Sequence, residues 1–486
     1  MTSFERQAGN TYGADKEPKF NTLSYTWGRW QGRSGPALPV QNITWTIPSV
    51  SPQCFTVELF MDAIRTTAAD LEYSWLDVAC IDQDDRGAKM AEIGKQAGIF
   101  EKAEDSYVWL HAMSKSVVEE VTSTLMRCAA RLGGEQTKSH PLLLDILINW
   151  DDRSVSDYME PPLPLCLSDE SWAAPVRTSI QCILDDPWFT SLWTLQESTI
   201  AAHSWLLCRE GQKLEREGGI DCSLPMLNND LGDILHHIEM AFKDSEFIDC
   251  ASTRLLDDLR YVCNMVERFG LSAYEYAILL YNSTSYRVCR ESLDRIYGII
   301  QVFNLKLCEP RDPSGTYTLP DLELEFASEL NKKSPIWAQL FRHTKRSNPA
   351  QTWMITQFCE LPPALRFDVT FPRSECTYVF NAHGQVHFCG RACSLYAINQ
   401  QWMTAASSPP PRSDSWGWGS VHMIVLDESE YSSVHVAEQL QEPAHIDSPN
   451  HTAIVKILLD LEHENIGVFV LGKLLQPDSD SNQGVH

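Results

Sequence analysis

The sequence predicts an α/β fold: a parallel sheet with crossover helices near the N-terminus, then a helical region, then a β-rich C-terminal part. Three observations carry this. Short β-type apolar runs alternate with amphipathic segments between Phe20 and Leu110. From about residue 220 the apolar spacing turns helical, and after Gln351 it breaks into short alternating runs.

The elements follow in order. FNTLSYTWG, Phe20 to Gly28, reads as a strand running into a turn. Phe55 to Arg65 places Val57, Phe60, Met61 and Ile64 at helical spacing, which makes an amphipathic helix. Ser74 to Cys80 (SWLDVAC) reads as a buried strand, and a polar loop, Asp82 to Asp85, follows it. A helix is expected from about Ala88, with Met90, Ile93, Ala97 and Phe100 on one face, and Ser106 to Leu110 is the next strand. This alternation calls for parallel strands joined by helical crossovers. Residues 112–170 are less regular, and Glu160-Pro-Pro-Leu-Pro164 marks a loop. Pro187 to Ile200 reads as one helix with Pro187 in its first turn, and Ser204 to Cys208 as a further buried strand.

Leu255, Leu259, Val262 and Val266 share a helical face in the middle of the chain. Towards the end, Cys376–Phe380 and Val386–Cys389 flank the turn Asn381 to Gly384, the pattern of a hairpin. A Ser/Pro-rich loop from Ser407 to Asp414 precedes the apolar run Val421 to Leu426. A last β pair is expected from Val455–Leu459 and Gly467–Leu471, and the polar tail after Gln476 reads as disordered. The expected domains are therefore 18–210, 211–345 and 346–476, with a tail at 477–486.

Composition narrows the function classes. A chain of 486 residues exceeds one ordinary core, so two or three packed units are expected. Lys plus Arg is 39 against 65 for Asp plus Glu, and a net charge of -26 disfavours a nucleic-acid partner. The 15 cysteines are scattered, and Cys80, Cys182 and Cys208 sit in apolar runs where a reduced thiol packs as a small hydrophobe. The first residues lack the apolar core of a signal peptide, and no apolar run approaches the ~20 residues that span a bilayer. A soluble cytoplasmic protein without a membrane partner is the expectation.

Four blocks carry a family resemblance. Leu23-Ser-Tyr-Thr-Trp-Gly28 resembles the opening LSYxWG signature of fungal heterokaryon-incompatibility (HET) domains. Trp75-Leu-Asp-Val-Ala-Cys-Ile-Asp-Gln83 is similar to their second block, and Asp186-Pro-Trp-Phe-Thr-Ser-Leu-Trp-Thr-Leu-Gln-Glu197 to their third. Ser292-Leu-Asp-Arg-Ile-Tyr-Gly298 looks like the segment that commonly follows the domain. Ser191 stands where the third block commonly has arginine, and Gly87-Ala88 where the second has a charged pair.

HET domains look in turn like distant relatives of TIR domains, a doubly wound, Rossmann-like α/β fold. The resemblance implies a protein of incompatibility and programmed cell death, acting through self-association or with partner HET proteins. It also implies a nucleotide pocket with NAD as a substrate and no required cofactor, in which Glu197 corresponds to the catalytic glutamate of TIR domains. A carboxylate there would stabilise an oxocarbenium-like centre; otherwise Glu197 is a helix cap or ion-pair partner.

Ser24, Tyr25 and Asp77 fall at expected strand ends, where ligands of parallel sheets bind, and Asp82 and Asp84 share that rim. The bland reading of the Asp82–Asp85 loop is an Asx-rich turn. Trp27 and Trp193 could stack on a ligand ring or simply fill the core. A second chemistry makes Ser24 an acyl-accepting nucleophile in a biosynthetic enzyme, as in cyclodipeptide synthases that use aminoacyl-tRNA. LSYTWG lacks their GxSxxN pattern, no histidine is near Ser24 in sequence, and the charge opposes a tRNA. Cys376, His383, His387, Cys389 and Cys393 invite zinc by spacing, but they read better as an ordinary hairpin, so no metal is expected.

Overall fold

The computed structural model describes most of residues 1–132, 170–305 and 318–343, with pieces of 353–360, 371–394 and 467–475. The described residues fall into two compact units. One draws on Met1–His140, Pro161–Glu275 and Ser283–Lys306, the other on Tyr276–Asn282 and Leu307–His486.

The first unit is built on a parallel sheet. Phe20–Ser24 (β1) is its central strand, buried from Asn21 onwards on both faces. The polar groups this buries are satisfied: Asn21 Nδ2 donates to Thr67 O at 2.8 Å, and Thr22 Oγ1 meets Ser106 Oγ at 2.7 Å. Val57–Thr67 (α1) begins where Thr56 accepts from Leu59 N at 3.3 Å, and it buries Phe60, Ala63 and Ile64.

The strand expected over Ser74–Cys80 is shorter. Tyr73–Trp75 (β2) ends it, and Asp77–Cys80 (α2) already forms a helical turn. Asp77 Oδ1 accepts from Val78 N at 2.6 Å, a local bond that takes the backbone out of the ladder. Of the helix expected from Ala88, Gln96–Phe100 (α3) is described, while Met90 and Ile93 lie outside the described residues. Ser106–Trp109 (β3) is buried throughout, and Lys115–Leu132 (α4) adds a helix that the irregular spacing after residue 112 did not suggest.

Ala173–Asp185 (α5) leads to the segment expected as one helix. It is two: Pro187–Thr190 (α6) and Leu192–Ile200 (α7), separated by Ser191 with an extended ψ of 138°. Asp186 caps α6 by accepting from Trp188 N at 2.9 Å, and Pro187 takes the first helical position. Ser204–Leu207 (β4) completes the sheet.

The strand order is β2-β1-β3-β4, all parallel, with Ser24 beside Val108 and Trp109 beside Leu207. The direction of strand addition reverses at β1, so the carboxyl ends of β1 and β3 flank the switch point. Alternation divides the side chains between two cores. Leu23, Tyr25, Tyr107, Trp109 and Leu207 face α1 with Phe55 and Phe60. Val108 and Leu206 face α4, α5 and Trp188, joined by Leu224–Lys243 (α8) and Thr253–Arg268 (α9). Leu255, Leu259, Val262 and Val266 on α9 are buried, as their spacing required.

In the second unit, Leu319–Lys333 (α10) opens with a capping box between Thr318 and Asp321. Its Glu323 accepts from the Tyr281 hydroxyl, and its Ala327 packs on Trp353 and Met354. Thr377–Phe380 and Val386–Cys389 pair antiparallel, with His387 opposite Val379: the expected hairpin. Of the expected final β pair, Gly467–Phe469 is a strand and pairs with Ala392–Ser394, while Gly472–Leu475 pairs with Phe371–Ser374, so distant segments supply these partners. Val421–Leu426, Val455–Leu459 and the tail after Gln476 lie outside the described residues. Among the described residues no helix is long and apolar enough to cross a membrane, and no disulfide joins Cys80, Cys182 or Cys208.

Candidate functional site at the carboxyl edge of the sheet

β1 delivers Ser24 and then Tyr25 to opposite faces at the carboxyl edge. Ser24 turns towards α6 and α7. Its hydroxyl donates to Glu197 Oε2 and accepts from the Trp188 indole Nε1 at 2.7 Å. Trp188 lies on α6 and Glu197 on α7, so the break at Ser191 sets both groups around one hydroxyl. Tyr25 turns towards α1, and its hydroxyl donates to Asp77 Oδ1 while accepting from Val78 N at 3.3 Å.

The two pairs belong to one cluster, since the charge of Asp77 acts on both Glu197 and Tyr25. Glu197 is 7% exposed. Burial pushes its carboxyl up to about 8; the Ser24 hydroxyl opposes the rise and the charge of Asp77 adds to it. The Tyr25 phenol is raised well above its ordinary value, first by burial and then by Asp77. Near neutrality Glu197 therefore holds a proton in the majority of molecules. Such a group can donate that proton, or release it and become the counter-charge of an arriving cation.

Trp193 is half-buried on α7, one helical turn before Glu197 and on the same side of the helix. Asp82 Oδ1 accepts from Asp84 N at 2.9 Å and Asp85 N at 3.1 Å, the Asx turn its surroundings suggested. Asp84 Oδ2 accepts from Thr46 N at 3.0 Å. Trp27 lies outside the described residues, as does His383. Among the described residues no group of acidic, histidine or cysteine side chains is arranged to hold a metal ion.

Sequence reasoning missed three residues here. His111, just past β3, is buried and meets Thr26 Oγ1 through Nε2 at 3.1 Å, so the imidazole stands on Thr26 while Ser24 has the Glu197 carboxyl. Its signal was position, one residue beyond a strand that had been read correctly. Asp186, fully buried, accepts from Ala112 N at 2.9 Å and so ties the end of β3 to α6. Trp188 is the third, and nothing in sequence separates it from a core tryptophan. Past β4, exposed Arg209 donates from Nε to His111 O at 3.1 Å and from Nη2 to Ala112 O at 2.7 Å.

Residues 20–197 match the family model described as heterokaryon incompatibility protein (HET). The matched segment begins with β1 and ends on Glu197. No curated protein and no solved structure gives a significant match.

Proposed function

We propose that this chain, whose residues 20–197 match the HET model, is a protein of the heterokaryon-incompatibility type and acts as a cell-death effector that cleaves NAD at the carboxyl edge of its sheet. The observation behind this reading is Glu197: a buried carboxyl, held by Ser24 at the switch point, with its proton affinity raised to about 8.

The nicotinamide ring of NAD carries a positive charge. Bound beside Glu197, it would favour the ionised carboxylate and drive out its proton. The carboxylate then opposes the positive charge that grows on the ribose as the C1′–N bond breaks. The bond pair leaves with nicotinamide, water oxygen bonds to C1′, and the proton of that water is released. Ser24 orients Glu197, Trp188 orients Ser24, and half-buried Trp193 offers a ring face for stacking. The charge of Asp77 adds to the negative potential that selects a cationic substrate.

The test is expression of the full chain in a heterologous host, with NAD, viability and untargeted metabolites measured at matched protein levels. The wild type should deplete NAD and kill, and Glu197→Gln should do neither. Equal NAD loss in Glu197→Gln would remove Glu197 from the chemistry. Undisturbed NAD with a new metabolite that disappears in Ser24→Ala would replace this reading with a biosynthetic transferase using Ser24.

A further inference from the structure

Arg287 lies beyond the family match yet inside the α/β unit, and it is 3% exposed. Its Nη1 donates to Ser191 O at 3.0 Å, Trp188 O at 3.4 Å and Thr194 Oγ1 at 3.3 Å, and Nη2 donates to Phe269 O at 2.6 Å. The first three surround the break between α6 and α7, where Thr194 Oγ1 also donates to the Trp188 and Ser191 carbonyls, and Phe269 O lies at the end of α9. The planar fork thus ties the break to the end of α9, with Nη1 sharing its two hydrogens among the three acceptors at the break, a geometry that a lysine ammonium does not reproduce. Burial brings the guanidinium down to about 9, so the cation sits at a site that disfavours its charge.

The neighbouring backbone closes the same break. Val288 N donates to Thr190 O at 2.7 Å, and Leu192 N donates to Val288 O at 3.1 Å. Further on, Gly298 packs so near α7 that a Cβ there would lie 3.1 Å from Leu192 Cγ. Gln301 Oε1 accepts from Ala97 N at 2.7 Å on α3. The segment 287–301 thus holds the two helices that carry Trp188 and Glu197.

We infer that Arg287 is a positioning residue for the Glu197 site, and that segment 287–301 is a working part of the HET unit although it lies outside the family match. The inference rests on the reading of Glu197 as the functional carboxyl. It adds that the geometry around Ser24 depends on a guanidinium from a later part of the chain.

The test reads the local environment of Glu197 without any ligand. Melting temperatures are measured from pH 4 to pH 9 for the full chain, with and without Glu197→Gln, in wild-type, Arg287→Met, Arg287→Lys and Val288→Pro backgrounds. The pH at which the Glu197/Gln pair stops diverging reports the ionisation of Glu197 in the fold. In the wild type this falls near 8. Arg287→Met should move it down by about one pH unit or more as the cluster loosens and hydrates, with Arg287→Lys in between. Val288→Pro removes one backbone donor at a side chain that is 73% exposed, so it reports on the break even if Arg287→Met fails to fold. It should shift the same point in the same direction.

A merely structural Arg287 would lower both melting curves equally and leave the end of the window near 8, and that result overturns the inference. NAD cleavage can fail while the window still shifts. In that case the positioning stands and only the ligand is wrong.

Discussion

Replacing Glu197 with glutamine should make the protein more stable at alkaline pH and leave it nearly unchanged in acid. The folded carboxyl titrates near 8, whereas an unperturbed one titrates near 4.5. Between those values only the folded state holds the proton, so stability falls as pH rises. Below the window both states are protonated, and above it neither is. A shift of roughly 3.5 units at about 1.4 kcal/mol each gives a ceiling on the order of 5 kcal/mol, and a unit of latitude in the shift brings it to ~3–5 kcal/mol. Glutamine keeps an oxygen for the Ser24 hydroxyl but has no proton to lose. The gap between variant and wild type should therefore open from about pH 5 and level off past pH 8. At about 2–4 °C per kcal/mol for a unit of this size, the melting temperatures should separate by roughly 10 °C. Thermal melts in matched buffers measure this directly. Parallel curves from pH 5 to pH 9 would show that Glu197 ionises like a surface carboxylate, and the buried cluster would have to be redrawn.

Two further substitutions probe other parts of the unit. Tyr25→Phe takes from the buried Asp77 carboxyl the hydroxyl that donates to it, and from Val78 N one of its two acceptors. It should lower stability by about 2–3 kcal/mol in urea unfolding, and an unchanged midpoint would mean the pair is not formed. Gly211 follows β4 with φ +72°, and a Cβ there would fall 2.5 Å from Ala63 N on α1. Gly211→Ala should cost about 2–4 kcal/mol, read as a drop in melting temperature or in soluble yield; a wild-type melt would show that α1 and the β4 turn do not meet as described.

What could be read from the sequence follows physical lines. β3 was legible because a strand buried on both faces must be apolar and short, as SYVWL is; β1 was legible as a short run ahead of a turn signal, although its buried Asn21, Thr22 and Ser24 are polar. The start of α6 at Pro187 was legible because a proline in the first turn has a fixed positional role, whereas the cap that Asp186 supplies was not read. The break at Ser191 was not, because no local residue forces it. It exists where Val288 and Arg287 arrive from almost a hundred residues away. The early end of β2 was hidden for a related reason: SWLDVAC is apolar enough for either structure, and the Asp77 side chain decides. Ser24, Tyr25, Asp77 and Glu197 were found as strand-end or motif residues, but their pairing was not. That Ser24 faces Glu197 while Tyr25 faces Asp77 follows from alternation along β1, which is visible only once the sheet is assembled. The C-terminal strand pairs escaped for the plainest reason, since sequence spacing does not say which distant segment a strand will choose.

The break at Ser191 has a consequence for the chain while it is being made. Contacts such as Ser24 to Glu197 and Trp188 to Arg287 span long separations, and such topologies fold slowly because loop closure precedes the contacts that reward it. A nascent chain that has emerged only as far as Glu197 already displays every family motif from LSYTWG to WTLQE. It lacks the guanidinium and the Val288 bridge that hold α6 against α7. The site around Ser24 and Glu197 would then stay unassembled on the ribosome, and would close only after synthesis has passed the segment that locks it.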